Sequence, residues 1–210
     1  CNSWKISKQN RERGGIDVKP GTYNVVVSFG EMKDTTSVTV KPDPRLDVSM
    51  AAVNEVYETG KKLEDHMQTA ANAVKQLVES KDLAEKFEKE MKDLDKDKFK
   101  DQIKASKEIV KQIDSVIALY LGKEDKRQGI TRNPEITVMQ RLNTARFYVG
   151  SRKNGITETE RRLIRFAEAD LKEALQKTNT FFTDQWKAYR ESIENVDLSP
   201  FKETKTFSLN

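Results

Sequence analysis

From Tyr23 to Phe29, apolar side chains fall at alternate positions (Tyr23, Val25, Val27, Phe29), with Asn24, Val26 and Ser28 between them. That two-residue period is the signature of a strand with one buried face. Pro20-Gly21 before the run and Gly30-Glu31-Met32-Lys33 after it are turn material. A second run, Thr35 to Lys41, is rich in Thr and Val and sets Val38 and Val40 on one side. The two runs predict an antiparallel hairpin. Trp4 to Ser7 offers a third strand and Arg11 to Gly15 a polar loop. Three strands cannot bury an apolar face by themselves. The β part is therefore expected to lean on the helices, on the C-terminal tail, or on strands from outside this chain.

Pro42-Asp43-Pro44-Arg45 stops the ladder, because proline fixes φ and removes a donor. Beyond it the period changes to about 3.6. Ser49 is placed to cap a first long helix, with Met50, Val53, Tyr57, Leu63, Met67, Ala70, Val74, Leu77 and Val78 on one stripe. The stripe falters at Ser80-Lys81-Asp82 and returns at Ala84, Phe87, Met91 and Leu94, which leaves open whether the helix bends near Ser80. A second helix is expected from about Asp97, carrying Phe99, Ile103, Ile109, Ile113, Val116 and Tyr120, and ending at Leu121-Gly122. After a polar loop, Asn133-Pro134 opens a third, with Val138, Leu142, Ala145 and Val149 as a narrow stripe. Thr157 and Glu160 form a capping box, with Ile156 as its hydrophobic staple. The last helix then runs through Leu163, Ile164, Ala167, Leu171, Ala174, Leu175, Thr178, Phe182, Trp186, Tyr189 and Ile193 to Ser199-Pro200. Phe207 and Leu209 follow as a segment able to pair back onto the hairpin. The expected fold is mainly α: an antiparallel four-helix bundle with a small N-terminal antiparallel β hairpin.

Composition fits this reading. Charged residues make up 34% of the 210 and hydrophobic ones 36%, with 9 Gly and 5 Pro, which favours long solvated helices over a sandwich or a disordered chain. No apolar run approaches the ~18 residues of a membrane span. Lone Cys1 excludes an internal disulfide and a Cys-ligated zinc, and lone His66 excludes paired-His metal sites. Cys1 at the first position fits the start of a fragment or the acylated first residue of a lipoprotein, which would supply a lipid anchor. The interspersed Lys, Asp and Glu from Lys81 to Lys107 read as ion pairs on a solvated helix face. No phosphate-cradling glycine loop, zinc motif or nucleophile elbow is present, so no catalytic residue and no cofactor is predicted.

Charge is uneven. Residues 122–165 hold eleven Lys and Arg against five Asp and Glu, a local +6 in a chain of net +4. Arg161, Arg162 and Arg165 stand near the start of their helix, where the macrodipole disfavours cations. That arrangement asks for an anionic partner or for pairing with Glu158 and Glu160. Arg152, Lys153, Arg161, Arg162 and Arg165 are therefore the candidate anion- or partner-binding residues. Phe147 and Tyr148 beside them either stack on bases or pack inward next to Val149. Phe181, Phe182, Trp186 and Tyr189 read as core.

The stretch Pro20-Gly21-Thr22-Tyr23, the Thr/Val strand from Thr35 to Val40 and the Asp43-Pro44-Arg45 exit resemble a junction in large bacterial secreted proteins. Those proteins carry a sortilin-type or BNR-repeat β-propeller, then an immunoglobulin-like module, then a helical C-terminal region. Trp4, Asp65-His66 with Asn72-Ala73-Val74, the Asn133-Pro134 opening and the long last helix agree in order. The resemblance implies an exported chain lacking the propeller, and carries over no catalytic residue. The expected organisation is immunoglobulin-like strands over 1–45, a helical bundle over 46–198 and a tail over 199–210. The expected role is non-catalytic, a structural or protein-interaction region whose partners are other protein domains, without nucleic acid. The rival expectations are part of an exported glycosidase-like enzyme with its active site in the propeller, and a basic anion- or nucleic-acid-binding helical module.

Overall fold

The computed structural model of the chain describes residues 16–123 and 136–196. The expectations for Cys1, Trp4 to Ser7, Arg11 to Gly15, Asn133-Pro134, Ser199-Pro200 and Phe207 with Leu209 lie outside those residues. The described chain is mainly helical with one two-stranded antiparallel sheet.

Strands β1 (Gly21–Phe29) and β2 (Met32–Val40) pair in unbroken register from Gly21 opposite Val40 to Phe29 opposite Met32. Gly30 takes φ +60° as the first of two loop residues, the conformation that a tight hairpin turn requires there. Cross-strand partners share a face, so Tyr23, Val25, Val27 and Phe29 stand with Met32, Val38 and Val40 on one side. Thr22 and Thr39, whose hydroxyls are 3.3 Å apart, belong to the other. Neither strand packs along a helix. Val27 is 62% exposed, Phe29 79% and Met32 70%. Of the three supports expected for the hairpin, the C-terminal tail lies outside the described residues, and the helices hold only its base. There Ile16 meets Gly60, Lys19 lies over the Tyr57 ring and pairs with Glu58, and the Tyr23 hydroxyl donates to the Lys19 carbonyl at 2.7 Å. Prolines at both exits, Pro20 and Pro42, send the ladder away from that anchorage.

Helix α1 (Met50–Asp95) is capped by Ser49, whose hydroxyl accepts from the Ala52 amide at 3.2 Å. Its 46 residues span about 69 Å at 1.5 Å per residue. Leu63, Ala70, Leu77, Ala84 and Met91, all fully buried, recur every seventh residue. This is a coiled-coil seam, in which small alanines between larger side chains admit close neighbours. The helix passes Ser80 without a break. The Ser80 hydroxyl donates to the Gln76 carbonyl, and Lys81 reaches across to Asp114 at 2.7 Å. Met50 and Val78 stand off the seven-residue seam and are exposed, against the sequence stripe. At the far end Asp95 accepts from the Asp97 and Lys98 amides and turns the chain over buried Phe99 into α2 (Lys100–Leu121), which Gly122 ends.

Helix α3 (Val138–Gly150) starts later than the Asn133-Pro134 signal suggests, because Thr137 and Gln140 supply a reciprocal capping box. Helix α4 (Glu158–Phe181) starts at the predicted Thr157–Glu160 box and continues through a π turn (Phe182–Trp186) into α5 (Lys187–Glu194). The turn has a cause in spacing. Ala167, Ala174 and Phe181 keep a seven-residue step, but the next buried residue is Tyr189, eight on. One wider turn absorbs the extra residue and returns Tyr189 and Ile193 to the core.

Cross-helix pairs fix the arrangement. Lys81–Asp114 and Glu88–Lys107 set α1 antiparallel to α2, and Arg141–Asp170 sets α3 antiparallel to α4. Glu55–Arg161 and Lys62–Glu168 show α1 and α4 running the same way. The buried hydroxyl pairs Tyr120–Thr178 (2.8 Å) and Ser106–Tyr189 (2.9 Å) hold α2 against the end of α4 and α5. Helix α2 therefore lines the second half of α1 and α3 the first half, end to end. Among the described residues no helix is long and apolar enough to cross a membrane.

Two outcomes test this packing. Leu171→Ala, at a 5% exposed position, is expected to lower stability by about 2–5 kcal/mol in urea unfolding; an unmoved midpoint contradicts the assigned face. Deleting exposed Thr183 is expected to turn the π turn into ordinary helix and leave the melting temperature within a few degrees. A collapse of the Tyr189 contacts would show that the turn serves another purpose.

Candidate functional site

Of the five predicted cations, Arg152, Lys153 and Arg161 stand where the start of α1, the α3–α4 turn and the hairpin base meet, and Arg162 and Arg165 follow on the first turns of α4. Gly155, at φ +91°, makes that turn possible: a Cβ there would stand 3.1 Å from a Glu55 carboxylate oxygen. The same oxygen accepts from the Ile156 amide at 3.1 Å, while the other oxygen of Glu55 takes the Arg161 guanidinium. The Ile156 amide first, and Arg161 second, hold the Glu55 carboxyl below its ordinary range. Ile156 itself is buried, as a staple should be.

Glu160 has no exposed surface. Arg152 donates to it at 2.7 Å, and the Thr157 amide (3.0 Å) and hydroxyl supply further bonds. Burial alone would raise its pKa. The Arg152 guanidinium outweighs that cost with help from Thr157 and brings the carboxyl down to about 2. Arg165 pairs with Glu158, and Arg162 lies 5.4 Å from the centre of the Phe166 ring, which Arg141 also approaches. Among the described residues, Lys153 reaches the exposed Asp17, at 3.9 Å.

The predicted patch is therefore brought together, and its cations face this chain's own groups. Arg161 and Arg165 are stabilised against the macrodipole by Glu55 and Glu158, while Glu160 belongs to Arg152. Phe147 and Tyr148 do not pack inward: they are 73% and 43% exposed and touch edge to face. Phe181 and Tyr189 are core, with Phe182 and Trp186 half-buried against them. His66 sits on the α1–α4 groove, 3.3 Å from Glu168, an oxygen it shares with Lys62. Among the described residues no group of His, Cys, Asp and Glu is arranged to hold a metal ion.

Sequence reasoning missed a cavity of about 490 Å³ between the hairpin base, α1 and the end of α3. Val53, Val56 and Val149 wall it, and Arg152 and Lys153 stand at its edge. Its walls come from four separate stretches of chain, so no local spacing announces it. Glu55 was missed for the same reason: its partners lie about a hundred residues away.

No family model, curated protein or solved structure matches this chain.

Because Glu160 titrates near 2 in the fold and near 4.5 when free, its stabilisation is full above about pH 4.5 and fades as pH falls toward 2. Urea unfolding at pH 7 and pH 3 is expected to show this loss. Glu160→Gln should lower stability at pH 7 and flatten that part of the acid dependence. An equal slope in both proteins would contradict the assignment.

Proposed function

We propose that this chain is a non-catalytic structural and protein-interaction region of a larger exported bacterial protein of the sortilin-type β-propeller kind. In this reading the strands over 1–45 are the end of an immunoglobulin-like module. Residues 46–198 form a bundle of four helices in which α1 and α2, and α3 and α4, are antiparallel neighbours and α2 and α3 lie end to end along α1, and 199–210 are a tail. The partners are other protein domains.

One observation supports the interaction role above the rest. One face of the hairpin carries Tyr23, Val25, Val27, Phe29, Met32, Val38 and Val40, interrupted by Thr36 and Asp34, and Val27, Phe29 and Met32 on it are left to solvent among the described residues. A lone two-stranded ribbon is at best marginal in water, and an exposed apolar patch on it is a contact surface. The helices below supply a long, ion-paired support whose stability does not draw on that face.

The test compares the purified chain with the protein isolated from its native host. Oxidation of Met32, followed by mass spectrometry, is expected to be fast in the first and slow in the second. Equal rates would contradict the proposal. Val27→Lys is expected to leave the helical melting temperature unchanged while abolishing the protection of Met32.

A further inference from the structure

We propose that the outer edge of β1 joins two copies of this chain, the second copy adding its own β1 antiparallel with Val26 on the two-fold axis. The inference concerns the edge and leaves the apolar face of the hairpin open, so it stands independently of the function proposed above.

Register decides which backbone groups face outward. Phe29 and Met32 flank a two-residue turn, so they exchange hydrogen bonds, as does every second pair down to Gly21 and Val40. The amides and carbonyls of Asn24, Val26 and Ser28 on β1, and of Lys33, Thr35 and Ser37 on β2, therefore point away from the ladder. The two edges are not alike. On β2 the Asp34 carboxylate takes the outward Thr35 amide at 2.8 Å, and Lys33 stands beside it, so that edge is blunted. On β1 no charge, proline or bulge interrupts Gly21–Phe29, and among the described residues β2 is its only sheet neighbour. An edge in that state is a template for another strand.

The occupant follows from self-complementarity. A strand without charge meets its own copy without repulsion. Val26 is the one aliphatic residue on the face of Thr22, Asn24, Ser28, Thr35 and Ser37, and it is 58% exposed. A two-fold axis through it sets Val26 against its own copy and Asn24 opposite Ser28. On the other face Val25 then stands opposite Val27 and Tyr23 opposite Phe29, so like meets like on both. The four-stranded sheet that results passes the size at which a ribbon is only marginal. One strand edge buries less area than a standard interface, which points to a dimer of micromolar rather than nanomolar strength.

Sedimentation of the full chain over a range of concentrations is expected to show a monomer–dimer equilibrium. Val26→Lys should weaken it at least about tenfold by placing like charges on the axis, and Ser37→Lys, on the same face of β2, should leave it nearly unchanged. In a Cys1→Ser background, Val26→Cys should oxidise to a covalent dimer, because the Cα atoms of a hydrogen-bonded pair stand about 5.5 Å apart, which suits a disulfide. Asn24→Cys, which lies opposite Ser28 and not opposite its own copy, should not. Circular dichroism checks that each variant is folded. The proposal is overturned by a monomer at every concentration, by a dimer that survives Val26→Lys, or by cross-linking of Asn24→Cys as readily as Val26→Cys. A monomer whose Val26 amide exchanges slowly overturns it too, and assigns the edge to another segment of the same chain.

Discussion

A carboxylate sealed from water must be met by donors or give up its charge, and Glu160 is met on every side. Its partners tie together elements that the chain order separates. Thr157 is the cap of its own helix, and Arg152 arrives from the end of α3. One residue away, Ile156 passes its amide to Glu55 of α1, so the turn that buries Glu160 also docks the first helix. Removing Arg152 would leave a buried charge uncompensated, which is among the most damaging changes a fold can suffer. The corner's cohesion therefore rests on oriented hydrogen bonds, whereas the rest of the helical region rests on area.

That area follows from a seven-residue rhythm in α1 that presents one seam to α2, α3 and α4. Two buried hydroxyl pairs punctuate it, Tyr120 with Thr178 and Ser106 with Tyr189. In an otherwise aliphatic interior such pairs fix the axial alignment, because a slip of one turn would strand both hydroxyls. The π turn serves the same alignment, since without it Tyr189 would rotate away from Ser106.

Much of this was legible in the residues. Strand alternation and the Pro-rich exits located the hairpin, and Thr157 with Glu160 announced a helix start to the residue, because caps are local chemistry. The stripes of α2 and α3 also matched, since Ile103, Ile109, Ile113, Leu142 and Ala145 alternate with charge at helical spacing. The π turn was written as an eight-residue step between Phe181 and Tyr189, visible only once the seam was known. What local pattern does not encode is which helix sits beside which. Hence Glu55 was passed over among many surface acids, the cavity was unseen, and Arg161 pairs with Glu55 where its sequence neighbours offered Glu158 and Glu160. The hairpin was expected to find cover because its alternation implies a buried face; among the described residues that face stays open.

The end-to-end placement of α2 and α3 divides the length of α1 into two territories. Helix α3 lies against the first half of α1 and α2 against the second, with α4 beside α1 at Glu55–Arg161 and Lys62–Glu168. A continuous backbone thus serves two sets of neighbours whose buried side chains form one hydrophobic cluster. The hairpin is thereby mounted at one end of an unbroken rod that the other helices clasp along its length.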